Sequence, residues 1–129
     1  MKAASIACLA GASLFLATTA FAADLGSEIT NAQTHAGLAA KAANLDGVHM
    51  HLHHALNCVV GPAGEGFDAK QMNPCAQSGN GAIPDSTDAA KKAKLETAKT
   101  QLMQGIAATD LKMAQASATA AETTIAGAK

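Results

Sequence analysis

Apolar positions recur at heptad spacing from residue 35 onward. One line runs His35, Ala42, His49, Leu56; the other runs Leu38, Leu45, Leu52, Val59. Residues three and four apart share a helix face, so the pattern is an a/d seam with two histidines at core-type positions. No proline interrupts residues 27–60. Ser27 reads as the N-cap, with Glu28 complementing the helix dipole behind it. A first helix is therefore predicted over about residues 27–60. Gly37 and Gly47 weaken it by about 1 kcal/mol each relative to alanine, and a kink is expected near Asp46-Gly47.

A second helix is predicted from about residue 85 to 126. Asp85-Ser86-Thr87-Asp88 follows Pro84 directly and is a strong helix start. Its stripe reads Leu95, Ala98, Leu102, Ile106, Thr109, Met113, Ala116, Ala120, with only Gly105 against it. Between the helices, residues 61–84 carry Gly61, Pro62, Gly64, Gly66, Pro74, Gly79, Gly81 and Pro84 and read as a loop. A loop of that length inside a compact domain needs something to order it.

The fold class is all-α. Two long helices and one connection make an antiparallel hairpin. Pairing residue 60 with residue 85 sets His49 opposite Glu96, and His35 opposite Asp110 and Met113. Two helices bury only one stripe each, so the expectation is a four-helix bundle. It forms either by homodimerisation or by breaks that fold each helix back on itself.

The first residues read differently from the rest. Lys2 is a short positive segment, Ile6 to Thr18 is apolar, and Ala20-Phe21-Ala22 is a small-x-small site before Ala23-Asp24. That is a secretory signal peptide over residues 1–22, too short in its apolar run to be a membrane span. The expected mature domain is 23–129, exported to the periplasm, with no integral membrane segment after cleavage. Removing the leader takes Cys8 with it and leaves Cys58 and Cys75. An even pair in an exported chain reads as a disulfide, clamping the Gly/Pro-rich loop.

Composition removes several function classes. The 129 residues carry nine Lys+Arg, all of them lysine, against ten Asp+Glu. With no arginine and no basic run, neither nucleic acid nor an anionic membrane surface is an expected partner. There is no Gly-x-Ser-x-Gly, no phosphate loop and no His-Glu-x-x-His, and both remaining cysteines are committed to a bond. The expectation is a protein that is not an enzyme.

The chemistry concentrates in His49-Met50-His51-Leu52-His53-His54, with His35 upstream. His49 and His53 lie one turn apart, the spacing at which two imidazoles share one metal ion. The expected site is His49 and His53, completed by His54 or an acid of the second helix. His51 and His54 are expected to point more toward solvent, and His51 to contribute little. His35 is too far along a straight helix to join His49, so it serves either a second site or an ordinary polar role in the core. Imidazole suits copper, zinc and nickel, and thioethers of Met50, Met72, Met103 or Met113 would favour Cu(I), unless they merely fill the core.

The signal peptide, the His-rich helix and the alanine-rich composition resemble small exported His-bearing helical proteins of Gram-negative bacteria, some of which bind divalent metals. That resemblance implies a periplasmic binding, storage or buffering role for Cu, Zn or Ni. Two other readings stand beside it. A four-helix bundle can hold haem b through one core histidine from each of two helices, for which His49 is placed in a symmetric dimer. The histidines can also be tolerated passengers in a structural or interaction module of the cell envelope.

Overall fold

A computed structural model describes residues 22–129. Apart from Ala22, the expected signal peptide lies outside them. Every regular element described is helical: α1 (Leu25–Lys41), α2 (Leu45–Val60), the single turn α3 (Ala82–Asp85), α4 (Ala89–Ala107) and α5 (Leu111–Ala126). Each long helix packs on its sequence neighbour, and α5 returns against α1 to close the ring. The result is a four-helix bundle built within one chain, so a second copy is not required to supply the missing helices. No described helix is long and apolar enough to cross a membrane.

Both predicted long helices are broken in two, by the same device. Ala42 leaves α1 with extended backbone (ψ 139°), and Asn44 starts α2 by accepting the Gly47 N–H on its side chain at 2.8 Å. Ala108 leaves α4 the same way (ψ 136°), and Asp110 accepts the Met113 N–H at 3.0 Å. An Asx side chain satisfies one of the orphan N–H groups of a new helix, and this makes a restart affordable without glycine or proline. The sequence carries the device openly: Ala42-Ala43-Asn44-Leu45 and Ala108-Thr109-Asp110-Leu111 repeat the pattern of Ala22-Ala23-Asp24-Leu25. There Asp24, not Ser27, is the cap of α1, accepting the Ser27 N–H at 2.9 Å. The expected kink at Asp46-Gly47 is thus a full reversal just upstream.

The breaks reset the buried faces. On α1 the core line is Ile29, Ala32, Ala36, Ala39, while Leu38 is exposed. On α2 the predicted Leu52–Val59 line holds, joined by Val48, Ala55 and Leu56. Leu95, Ala98 and Leu102 are buried on α4 as predicted. Past the second break the stripe shifts to Ala114, Ala118, Ala121 and Ile125, leaving Met113 exposed. Alanine at so many contact positions lets the helices approach closely. At Gly105 a Cβ would lie 2.7 Å from Leu52 Cδ1 and 3.1 Å from Ser117 Cβ.

The long connection is ordered at three points. Cys58 and Cys75 are disulfide-bonded, with Cα atoms 5.2 Å apart. Asn57, fully buried one residue earlier, donates from Nδ2 to the carbonyls of Asp68 (3.0 Å) and Met72 (3.1 Å) and accepts the Asp68 N–H on Oδ1 (2.9 Å). The loop ends meet where Gly61 (φ +69°) and Gly81 (φ +113°) lie back to back, too close for a side chain on either. Phe67 packs on the edge of the core.

Candidate metal centre

The break at 42–44 decides which histidines meet. Two antiparallel helices folded about Ala43 bring together residues equally distant from it, and His35 and His51 are each eight residues away. Their Nδ1 atoms lie 3.3 Å apart across the α1–α2 interface. His54 sits one turn beyond His51 on the same face of α2, the i,i+3 spacing. Its ring stands edge-on to both others, with centroids 5.1 Å from His35 and 5.8 Å from His51. One ligand nitrogen from each of the three lies within 4.8 Å of the other two. It is the one such group of three or more His, Cys, Asp or Glu among the described residues.

The environment disfavours charge on two members of this cluster, His54 and His35. His54 is only 5% exposed, and its Nδ1 has no hydrogen-bond partner. Burial lowers its proton affinity below the ordinary histidine range, and the neighbouring His51 and His53 lower it further. His35 is lowered for the same reasons, burial first, then His54 and His51. Desolvation and like-charge neighbours both disfavour imidazolium, so neutral nitrogens with free lone pairs are held against one another.

The remaining predicted ligands go elsewhere. His49 donates from Nε2 to the Ala108 carbonyl at 2.9 Å and so tethers α2 to the break between α4 and α5. Its hydrogen-bond partner lies at that break, not at Glu96. His53 points toward the loop, its Nδ1 3.9 Å from Asp68 Oδ2. The pairing of His49 with His53 is therefore not part of the three-histidine cluster, whereas His35 and His54 are, and His51 joins them instead of facing solvent. The i,i+3 pair His51/His54 was visible in the sequence. The partner across the interface was not, because it depends on where the helix ends. The four methionines of the described chain, Met50, Met72, Met103 and Met113, are all exposed, so they do not fill the core.

No known protein family, curated protein or solved structure matches this chain.

Proposed function

We propose that this chain is a small exported protein that binds one transition-metal ion through His35, His51 and His54. The observation that carries the reading is the convergence of three imidazoles from two helices, one of them buried with an unpartnered nitrogen. A buried polar atom without a partner costs roughly 1–3 kcal/mol, and a metal bond at that nitrogen would remove the cost. The spacing also suits a particular geometry. Bonds of about 2.0–2.1 Å at tetrahedral angles put two ligand nitrogens about 3.3–3.4 Å apart, and the His35–His51 pair stands at 3.3 Å. Square-planar copper(II) or nickel(II) would bring adjacent nitrogens to about 2.9 Å at similar bond lengths. On that one distance zinc fits best of the three expected ions. Three protein ligands leave a fourth position for water or an incoming donor. The disulfide supports an oxidising compartment, as the expected export to the periplasm requires. Haem draws no support from this arrangement, since His49, the histidine expected to serve it, is hydrogen-bonded to Ala108.

Calorimetric titration of untagged protein with Zn²⁺ at pH 7.5 tests the reading. Single His→Gln changes at 35, 51 and 54 should each weaken binding at least tenfold. The same change at 49 or 53 should stay within threefold. Binding that is absent, or that survives the 51 and 54 changes together, would leave the histidines as a polar seam between α1 and α2. The envelope interaction module would then be the better description.

A further inference from the structure

Glu28 belongs to the first turn of α1, where it was expected to complement the helix dipole. It is fully buried. Its Oε1 accepts the Gly81 N–H at 2.9 Å, and its Oε2 has no partner. The Asp85 carboxylate is its neighbour and is itself held by Asn80, whose N–H and Nδ2 donate to it at 2.7 and 3.1 Å. Asp24 adds a third negative charge from the cap of α1. Among the described residues, no lysine or histidine forms an ion pair with any of the three; the ion pairs present lie at Asp68, Glu65 and Glu96. Burial pushes the Glu28 carboxyl up to about 7, against the Gly81 N–H that holds it down, and Asp85 and Asp24 add to the rise. No cation pairs with this buried carboxyl or its two acidic neighbours among the described residues.

One candidate cation is close by in the chain, still locked in a peptide bond. A Cβ on Gly79 would lie 2.7 Å from Glu28 Oε1 and 3.2 Å from the Ala23 Cβ, and nearer still to Asp85 Oδ2, so all three residues crowd the Gly79 Cα with no room for a methyl group between them. The backbone nitrogen of Ala23 is about 2.5 Å from its own Cβ. The next residue is anchored: the Asp24 N–H donates to the Ser78 carbonyl at 2.6 Å. Ala22 and Ala23 are exposed, so the bond between them is open to a peptidase.

We propose that cleavage between Ala22 and Ala23 supplies the missing cation, the new α-ammonium of Ala23, to the Glu28–Asp85 carboxylates. The proposal rests on the expected leader cleavage and is independent of the metal reading. Hydrolysis by a leader peptidase consumes one water. The amide C–N bond breaks, Ala22 leaves as a carboxylate, and Ala23 retains an amine that is protonated at neutral pH. The ion pair fastens the start of α1 to the loop bearing Cys75 and makes the mature chain more stable than its precursor. An ammonium ahead of α1 opposes the helix dipole, a modest cost that Asp24 and Glu28 offset.

The test uses the disulfide-bonded chain starting at Ala23, with the α-amine free or acetylated, each with Glu28 and with Glu28→Gln. NMR titration of the free amine should give a pKa at least one unit above the ordinary value of about 8, returning to it in Glu28→Gln. At pH 7, acetylation should lower the folding constant about tenfold or more when Glu28 is present, and less than threefold in Glu28→Gln. An ordinary amine pKa, or equal effects of acetylation with and without Glu28, overturns the proposal. So does millimolar Ca²⁺ stabilising the free-amine protein in a Glu28-dependent way, since the carboxylates would then belong to a metal ion. Tighter folding seen only with the free amine and Glu28 together supports it.

Discussion

Asn57 should be the most sensitive polar position in the protein. Its side chain is wholly buried and makes three good hydrogen bonds to the loop, at 2.9, 3.0 and 3.1 Å, with a longer fourth to the Gln71 carbonyl at 3.5 Å. Each such bond contributes about 1 kcal/mol net, so Asn57→Ala should cost about 3 kcal/mol. Asn57→Asp keeps the shape and should cost more at neutral pH. An oxygen would replace Nδ2 against carbonyls of Asp68, Met72 and Gln71, and a carboxylate would be buried there. We expect a loss of roughly 4 kcal/mol or more at pH 7, shrinking toward pH 5 as the carboxyl takes up a proton and regains one donated bond. For a domain of this size, 1 kcal/mol moves the Tm by roughly 4–8 °C, so both variants should be unmistakable in thermal or urea unfolding with the disulfide intact. If the loop detaches before the bundle unfolds, the global loss will be smaller. Hydrogen exchange at the Asp68 amide reports that opening separately. An Asp variant as stable as the Ala variant, with no pH dependence of the difference and no faster exchange at Asp68, would refute the reasoning.

Three further outcomes follow from other elements. Replacing Cys58 and Cys75 by serine frees a loop with a sequence separation of 17, and chain entropy puts the loss at about 3 kcal/mol, read as a lower urea midpoint. Gly105→Ala improves helix propensity by about 1 kcal/mol, yet its methyl meets Leu52 and Ser117, so denaturant unfolding should show a net loss of about 1–2 kcal/mol. In metal-free protein, His35 and His54 are held neutral in the fold while the unfolded chain protonates them at the ordinary value of about 6.5. Unfolding then takes up protons, so their contribution to stability is complete above about 6.5. It is lost as pH falls from there toward the lowered folded values. Urea midpoints between pH 5 and 8 should show an acid limb that is shallower in His54→Gln than in the parent chain.

Much of the architecture was legible in the residues themselves. Heptad spacing of Leu52 and Val59, and of Leu95, Ala98 and Leu102, is a local property of the backbone period, and those side chains are buried as the period requires. The all-α class and the Cys58–Cys75 bond follow from the same kind of reading, because an uninterrupted apolar stripe and an even cysteine pair leave few alternatives. The breaks at 42–44 and 108–110 were also written in the chain, as Ala-x-Asx-Leu. Periodicity alone missed them, because a heptad line can be drawn straight through three residues that do not belong to it. That one omission displaced the site. With a continuous helix, His49 and His53 are the natural pair and His35 is about 21 Å from His49. With a reversal at Ala43, His35 crosses to His51 and His54, and His49 is turned to the Ala108 carbonyl. Which side chains meet across an interface depends on where both helices end, and no single segment holds that information. The same holds for Glu28 and Asn57. Local rules make one a dipole partner and the other an unremarkable helix residue. Only the return of the loop over α1 and α2 buries them and gives them partners 53 and 11 residues away.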